Sequence, residues 1–298
     1  MHNYKNICLD INGLGETIKP SILGLITLLK VQKIFFYHFE LKNEEENDNA
    51  ILIEGEKTNC KEKLKALIKN NSIKGISIHP EVMELNDDFV RSLLKALMKF
   101  DIDILCFEFD NGSAKREEII KIAKNAYCTV ITLPVGGPVV PIKRILLPID
   151  FSEYSRKAVE FVFELSNTSN ISIIVNHVYC VPAGYHATGK SYEESASIIK
   201  QGAKKDCQKF LKEYEIQNSP ITYSCILDDD KDPTDKIYKD AVDNEIDLII
   251  IGSKGKTNSV EILTGSTAFG LLMYNQKVSM LIMKHKMANY DLAEEVLK

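Results

Sequence analysis

The sequence predicts an α/β protein of two tandem domains, each a doubly wound five-stranded parallel sheet with helices on both faces. Three observations carry that expectation. Short apolar runs alternate with helix-patterned runs along all 298 residues, as in sheets whose strands are buried on both faces by crossover helices. The stretch Pro134-Val135-Gly136-Gly137-Pro138 breaks the alternation near the middle of the chain, using the two residue types that most strongly punctuate structure. Beyond it the same order of elements begins again, with particular residues repeated in place.

In the first half, Asn6 to Ile11 is a short apolar strand, and Ile18 to Leu29 carries apolar residues at helical spacing. Lys33 to Phe39 is rich in aromatic residues, which favour strands. Cys60 to Ile68 is helical, and the stretch from Lys61 to Lys69 reads as a helix with lysines on its wet side. Lys74 to Ile78 is a strand and Asp87 to Lys99 an amphipathic helix. Ile102 to Phe107 is a strand of the buried kind, Arg116 to Lys124 a helix and Cys128 to Leu133 a strand.

The second half repeats the order. Strand Lys143 to Ile149 precedes helix Tyr154 to Leu165, and strand Ile171 to Val178 runs into a long polar loop, Pro182 to Glu194. Helix Ser195 to Tyr214, strand Ile221 to Leu227 and helix Pro233 to Asp243 follow. Strand Asp247 to Ile251, helix Gly265 to Tyr274 and strand Val278 to Met283 complete the half. Lys5-Asn6-Ile7-Cys8-Leu9 parallels Lys143-Arg144-Ile145-Leu146-Leu147, and His38 parallels His177. Ile102-Asp103-Ile104-Leu105 parallels Ile246-Asp247-Leu248-Ile249, and Asn125 parallels Asn275. Such matches in one order indicate duplication. Residues 1–138 and 139–298 are the expected domains.

Composition narrows the function. The net charge is −5 and the basic residues are scattered, which argues against nucleic acid as a partner. No apolar stretch approaches the ~20 residues of a membrane span, and the opening Met1-His2-Asn3-Tyr4 lacks an apolar targeting core. A cytoplasmic location is expected. The seven cysteines are odd in number and include no CxxC pair. Cys8, Cys106, Cys128 and Cys225 fall in apolar runs and read as small core residues.

In a doubly wound sheet, ligands bind beyond the carboxyl ends of the strands at the switch in strand order. After one such strand comes Ile251-Gly252-Ser253-Lys254-Gly255, then nine residues, then Gly265-Ser266-Thr267 opening a helix. Glycines admit close backbone approach, and a helix start offers free N–H groups to an anion. The hydroxyls of Ser266 and Thr267 add donors. This is a phosphate cradle, and it is not a Walker loop. The spacing Gly252-x2-Gly255-x9-Gly265-Ser266, with Ile145-Leu146-Leu147-Pro148-Ile149-Asp150 upstream, resembles the universal stress protein family over residues 142–284.

That resemblance implies an adenine nucleotide α-hydrolase-like fold, a stress-response regulatory role and ATP as ligand, with magnesium carried on the phosphates. It places Asp150 on the ribose side, Pro148 in the pocket wall and the Val178 backbone against adenine. Gly252 and Gly255 approach the ribose and phosphates. Gly265, Ser266 and Thr267 hold the phosphates, and Lys254 leans on one of them. Where the family carries a Gly-x-Pro-like turn, this chain reads Asp228-Asp229-Asp230-Lys231-Asp232-Pro233. The resemblance also implies pairing of Val130–Leu133 with Met280–Met283 within one chain, and leaves a homodimer and a protein partner open.

The first half departs from the motif. Asn12 stands where Asp150 stands, Glu108 replaces the first glycine, and only Gly112-Ser113 resembles the phosphate end. Acidic Glu108 and Asp110 should repel a triphosphate, so this half is expected to bind no ATP. His38 and His177 read as packing or hydrogen-bonded residues, and the Asp228–Asp232 cluster as a solvated turn lacking the marks of a calcium loop. The Pro182–Glu194 loop is a candidate flap over the nucleotide. No placed base or nucleophile is visible, so any turnover should be slow. A slow ATPase or phosphotransferase, and a scaffold that has lost nucleotide binding, are the alternatives.

Overall fold

The computed structural model describes residues 4–10, 18–38, 62–70, 75–84, 89–109, 116–134, 142–214, 220–254, 265–274, 277–284 and 286. Two compact units emerge: Ile142–Lys284 forms one, and His2–Pro141 with His285–Lys298 the other.

The N-terminal unit runs β1 (Asn6–Asp10), α1 (Pro20–Leu28), β2 (Lys33–His38), α2 (62–70), β3 (Ser77–Glu84) and α3 (Phe89–Lys99). It ends with β4 (Ile104–Phe109), α4 (Arg116–Asn125) and β5 (Thr129–Pro134). Its strands lie in the order β3-β2-β1-β4-β5, all parallel. The C-terminal unit runs β6 (Arg144–Pro148), α5 (Glu153–Ser166), β7 (Ser172–Tyr179), α6 (Tyr192–Leu211) and β8 (Ile221–Leu227). It ends with α7 (Pro233–Asp243), β9 (Leu248–Gly252), α8 (Ser266–Tyr274) and β10 (Ser279–Met283). Its strands are also all parallel, in the order β8-β7-β6-β9-β10. In each unit the order reverses beside the first strand, between β1 and β4 and between β6 and β9. That is the switch point of a doubly wound sheet.

Burial follows position in the sheet. In the C-terminal unit the central strands are dry, with Ile145, Leu146, Leu147, Leu248, Ile249 and Ile250 all fully buried. β8 is the outer strand of its unit and is mostly half-buried. Cys8, Cys106 and Cys128 are core residues as expected, whereas Cys225 on β8 is only half-buried. Cys207 of α6 is buried as well, a helical position that strand patterning could not flag.

Two elements differ from the sequence reading. The third strand covers Ser77–Glu84 rather than Lys74 to Ile78. Its register against β2 shifts between Ile34↔Ile78 and Phe36↔Val82, next to Pro80, which has no N–H to give the ladder. The Pro182–Glu194 segment is not a structureless loop. It forms a 3-10 helix, Ala183–Thr188, closed by Gly189 at φ 70°. Ser191 then starts α6 three residues earlier than expected: its hydroxyl accepts the Glu194 N–H at 3.1 Å. The Glu194 carboxylate accepts the Ser191 N–H at 2.9 Å in return, the reciprocal box that satisfies two orphan donors.

The repeated Ile-Asp pairs have a shared purpose. Asp247 Oδ2 accepts the N–H groups of Lys143 and Arg144, both at 2.8 Å. Asp103 Oδ2 accepts those of Lys5 and Asn6 at 2.8 and 2.9 Å. Each carboxylate ties the start of a unit's first strand to the start of its fourth, across the switch point. Lys286, past β10, pairs with Asp101 at 2.7 Å and with the other oxygen of Asp103, within the unit to which the tail is grouped. Hydrogen bonds to a charged acceptor contribute more than neutral ones. Asp247→Ala should therefore lose about 2 kcal/mol of stability, and Asp247→Asn, which keeps an acceptor oxygen, clearly less. Urea unfolding of the variants checks this, and equal midpoints for all three proteins would refute it.

Candidate functional site

The site begins where two strands part. Alternate residues of β7 bond opposite neighbours: Ser172 N–H reaches Lys143 O on the β6 side at 2.7 Å, and Tyr179 O accepts Asp228 N–H from the β8 side at 2.8 Å. The last tie to β6 is Ile149 N–H to Asn176 O at 2.9 Å. By that alternation the N–H and C=O of Val178 face the side that β6 has left. His177 holds the parting open, its Nδ1 lying 2.9 Å from Ile149 O. It is a hydrogen-bonded packing residue, as expected; the His38 side chain lies outside the described residues.

The turn after β6 is strained in a useful direction. Phe151 sits at φ 62°, a left-handed conformation that costs a non-glycine residue about 1–2 kcal/mol. Its ring packs 4.6 Å from His177 and 5.5 Å from Phe210, which offsets that cost. The turn brings Asp150 next to the start of α5. There Asp150 Oδ1 accepts Ser155 Oγ at 2.6 Å and the Ser152 N–H at 3.0 Å.

A cavity of about 300 Å³ opens beyond these strand ends. Pro148, Ile149 and Asp150 form one side, and Asn176 and Val178 of β7 the next. Pro233 and Ile237 of α7 give it an apolar wall, and Ile251 to Lys254 and Gly265 to Ala268 close it. Pro148, Asp150, Val178, Gly252, Lys254, Gly265, Ser266 and Thr267 are thus brought together; Gly255 lies outside the described residues. No residue of Pro182–Glu194 lines the cavity. That segment is instead tied to the acidic turn by the Tyr192 hydroxyl, which donates to Asp229.

Two glycines also answer to contacts within the fold. A Cβ on Gly252 would lie 2.8 Å from the backbone C and O of Tyr154, so the first turn of α5 is what demands glycine there. Gly265 gives its N–H to Ser253 O at 2.5 Å, closing the ends of the intervening loop, and its carbonyl accepts Phe269 N–H at 3.0 Å. The N–H groups of Ser266, Thr267 and Ala268 precede that first helical bond and have no acceptor inside α8. They carry the positive end of the helix dipole at the cavity.

Two residues that line the cavity each bury a polar atom without a partner among the described residues. Ser253 Oγ and Asn176 Oδ1 are buried without a hydrogen bond among the described residues, and both residues are 0% exposed. Such atoms are costly unless something satisfies them. Sequence reasoning missed Asn176, although a polar residue inside Ile173-Ile174-Val175-Asn176 is a visible signal. Desolvation pushes the Lys254 ammonium below its ordinary pKa, a shift that a nearby phosphate would reverse.

The acidic turn is accounted for locally. Asp228 Oδ1 accepts Asp232 N–H at 3.0 Å, Asp232 caps α7 through Asp235 N–H at 3.2 Å, and Asp230 pairs with Lys236 at 2.9 Å. Among the described residues no group of three metal-ligating side chains occurs. In the N-terminal unit, Glu108 is not the bare acid that the sequence suggested. Lys19, just before α1, reaches both its carboxylate oxygens at 2.5 and 2.7 Å. An ion pair therefore stands at the position that glycine holds in β9. Asn12, Asp110, Gly112 and Ser113 lie outside the described residues.

A sequence model of the universal stress protein family matches residues 141–274. Universal stress protein MJ0577 of Methanocaldococcus jannaschii is 30% identical over 159 residues, 48% of this chain and 96% of that protein. Among solved structures, a universal stress protein from Archaeoglobus fulgidus DSM 4304 superposes with TM-score 0.61 at 15% identity, covering 95% of this chain and 97% of that one. A functionally unknown protein from Pseudomonas aeruginosa PAO1 gives TM-score 0.61 at 13% identity, covering 98% and 96%. At these identities the two structures speak for the fold alone. Among the described residues no helix is long and apolar enough to cross a membrane.

The glycine contacts make a paired prediction. Gly252→Ala should cost about 1–3 kcal/mol because backbone must move, whereas Gly202→Ala in α6, where a Cβ meets nothing within 4 Å, should gain about 0.5–1 kcal/mol. Chemical unfolding measures both, and a neutral Gly252→Ala would remove the close-approach explanation.

Proposed function

The chain belongs to the universal stress protein family, and on that premise we propose that its C-terminal unit binds ATP and acts as a nucleotide-dependent regulatory protein. The observation that carries the reading is the cavity at the strand ends, which gathers Asp150, Lys254 and the start of α8, where three N–H groups have no acceptor inside their helix. The base would enter the apolar side, between Pro148, Val178 and Ile237, with its edge toward the Val178 backbone. Asp150 would accept from the ribose. The start of α8, with the hydroxyls of Ser266 and Thr267 and the Lys254 ammonium, would hold the phosphates. Magnesium would come with the nucleotide, coordinated by phosphate oxygens and water.

The N-terminal unit would take no nucleotide, since the Lys19–Glu108 pair already satisfies the charges there. His177 is not among the residues that line the cavity, and its Nδ1 lies against Ile149 O, which favours binding over turnover. Regulation would follow from differential affinity: ATP stabilises the form in which strand ends and α8 are drawn together, and a protein partner reads that form.

Thermal-shift and direct binding measurements test this. ATP should raise the melting temperature of the wild type. Asp150→Asn should weaken ATP by about tenfold, the scale of one charge-assisted hydrogen bond. Lys254→Met should weaken ATP more than AMP, because its partner is a distal phosphate. No shift with ATP, ADP or AMP would contradict the assignment.

A further inference from the structure

A second chemical grouping sits under α6, apart from the cavity. His177 of β7 and Cys225 of β8 are partners in the strand register, so their side chains share one face of the sheet. α6 covers that face. Its Phe210 packs on Phe151, which packs on His177, and Cys207 stands one turn before Phe210 on the same side of the helix. Cys207 is thereby set over β8, beside Tyr223 and Cys225, which alternate onto that face. The Cys207 thiol donates a hydrogen bond to the Cys225 sulfur. Cys207 is fully buried, Cys225 is half-buried, and both are free thiols. Neither lines the cavity.

The two thiols are not equivalent. Burial raises Cys225 above its ordinary pKa, and the hydrogen bond from Cys207 with the charges of Lys200 and Lys204 pulls it back down. Burial, with Cys225 beside it, pushes Cys207 up to about 12. Cys225 is the thiol that meets solvent and ionises first, and Cys207 keeps its proton behind it. We propose that the pair is a redox-modification site, in which a peroxide oxidises Cys225 and Cys207 resolves the product to an intramolecular disulfide. In the first step the Cys225 thiolate attacks hydrogen peroxide: an S–O bond forms, the O–O bond breaks, and the leaving hydroxide takes a proton from solvent. In the second the Cys207 sulfur attacks the sulfenic sulfur: the S–S bond forms, the S–O bond breaks, and hydroxide leaves with the Cys207 proton as water. Two thiols and one peroxide give one disulfide and two waters, the sulfurs losing the two electrons that the peroxide gains. Burial makes the first step slow beside that of an exposed, low-pKa thiol, and contact between the sulfurs makes the second fast. The disulfide ties α6 to β8, which among the described residues pairs only with β7.

The test uses the full chain carrying Cys60→Ser and Cys180→Ser, whose remaining thiols are the pair and the buried Cys8, Cys106 and Cys128. The folded protein is treated with hydrogen peroxide and mapped by mass spectrometry without reduction. A Cys207–Cys225 cross-link should form within one chain and be reversed by dithiothreitol. It should raise the melting temperature by about 5 °C, the scale of a disulfide closing a loop of this size. Adding Cys207→Ser should abolish the cross-link and leave Cys225 as a sulfenic acid that dimedone captures. Adding Cys225→Ser should leave Cys207 reduced, since it has no exposed surface. Melting curves before oxidation confirm that each variant is folded. Either of two results overturns the inference: both thiols still reduced under peroxide that fully oxidises free glutathione, or Cys225 carried past the sulfenic acid while Cys207 is present and uncrosslinked. A cross-link that appears only in urea overturns it as well. None of these outcomes bears on nucleotide binding.

Discussion

The hydrogen bond from Ile149 N–H to Asn176 O is the last that β6 makes to β7, and the site depends on its being the last. Had β6 continued, Val178 would be paired in the ladder and the cavity would be sheet. The strands part because Phe151 takes a left-handed turn and because His177 captures Ile149 O through its ring. The cost of that backbone conformation is local. It is offset by the packing of Phe151 against His177 and Phe210. Asp150, Ser152 and Ser155 then lock the turn to the start of α5, so that a strained residue and a helix cap jointly aim one carboxylate. The carboxylate of Asp247 acts at the opposite ends of the same strands, holding β6 and β9 in register so that their far ends can diverge reproducibly.

The two units share a scaffold and differ where the fourth strand ends. Both have the same strand order and the same aspartate clamp. At the end of the fourth strand one has Gly252, which lets α5 approach to contact distance, and the other has Glu108. A side chain there needs room and, being charged, a partner. Lys19 supplies the partner. On the proposed reading, exclusion of an anionic ligand from that unit would come from occupancy by an ion pair rather than from bare negative charge.

Much of this is legible in the sequence. Alternating apolar and amphipathic runs disclose the order of elements, and the repeated Ile-Asp pairs mark the duplication. The spaced glycines point to the cavity, since glycine records close approach. The reason for each glycine is not legible, because Gly252 answers to Tyr154 and Gly265 to Ser253 O, contacts between segments distant in sequence. The Ser191-x-x-Glu194 box is readable, but the polar run around it hides it. β3 is displaced because a strand interrupted at Pro80 carries weak period-two patterning, and pairing with β2 defines it instead. Asn176 is visible as a polar residue in an apolar strand, but its orientation comes from Asp240, across the sheet-to-helix interface and 64 positions along the chain.

The function proposed for the C-terminal unit turns on where a nucleotide sits. A crystal structure of the full chain grown with a non-hydrolysable ATP analogue tests this most directly. One nucleotide per chain is expected, in the C-terminal unit, with its base between Pro148 and Ile237, its ribose at Asp150 and its phosphates at the start of α8. A nucleotide against Lys19 and Glu108 in the N-terminal unit, or a fully liganded crystal with that C-terminal cavity empty, would contradict it.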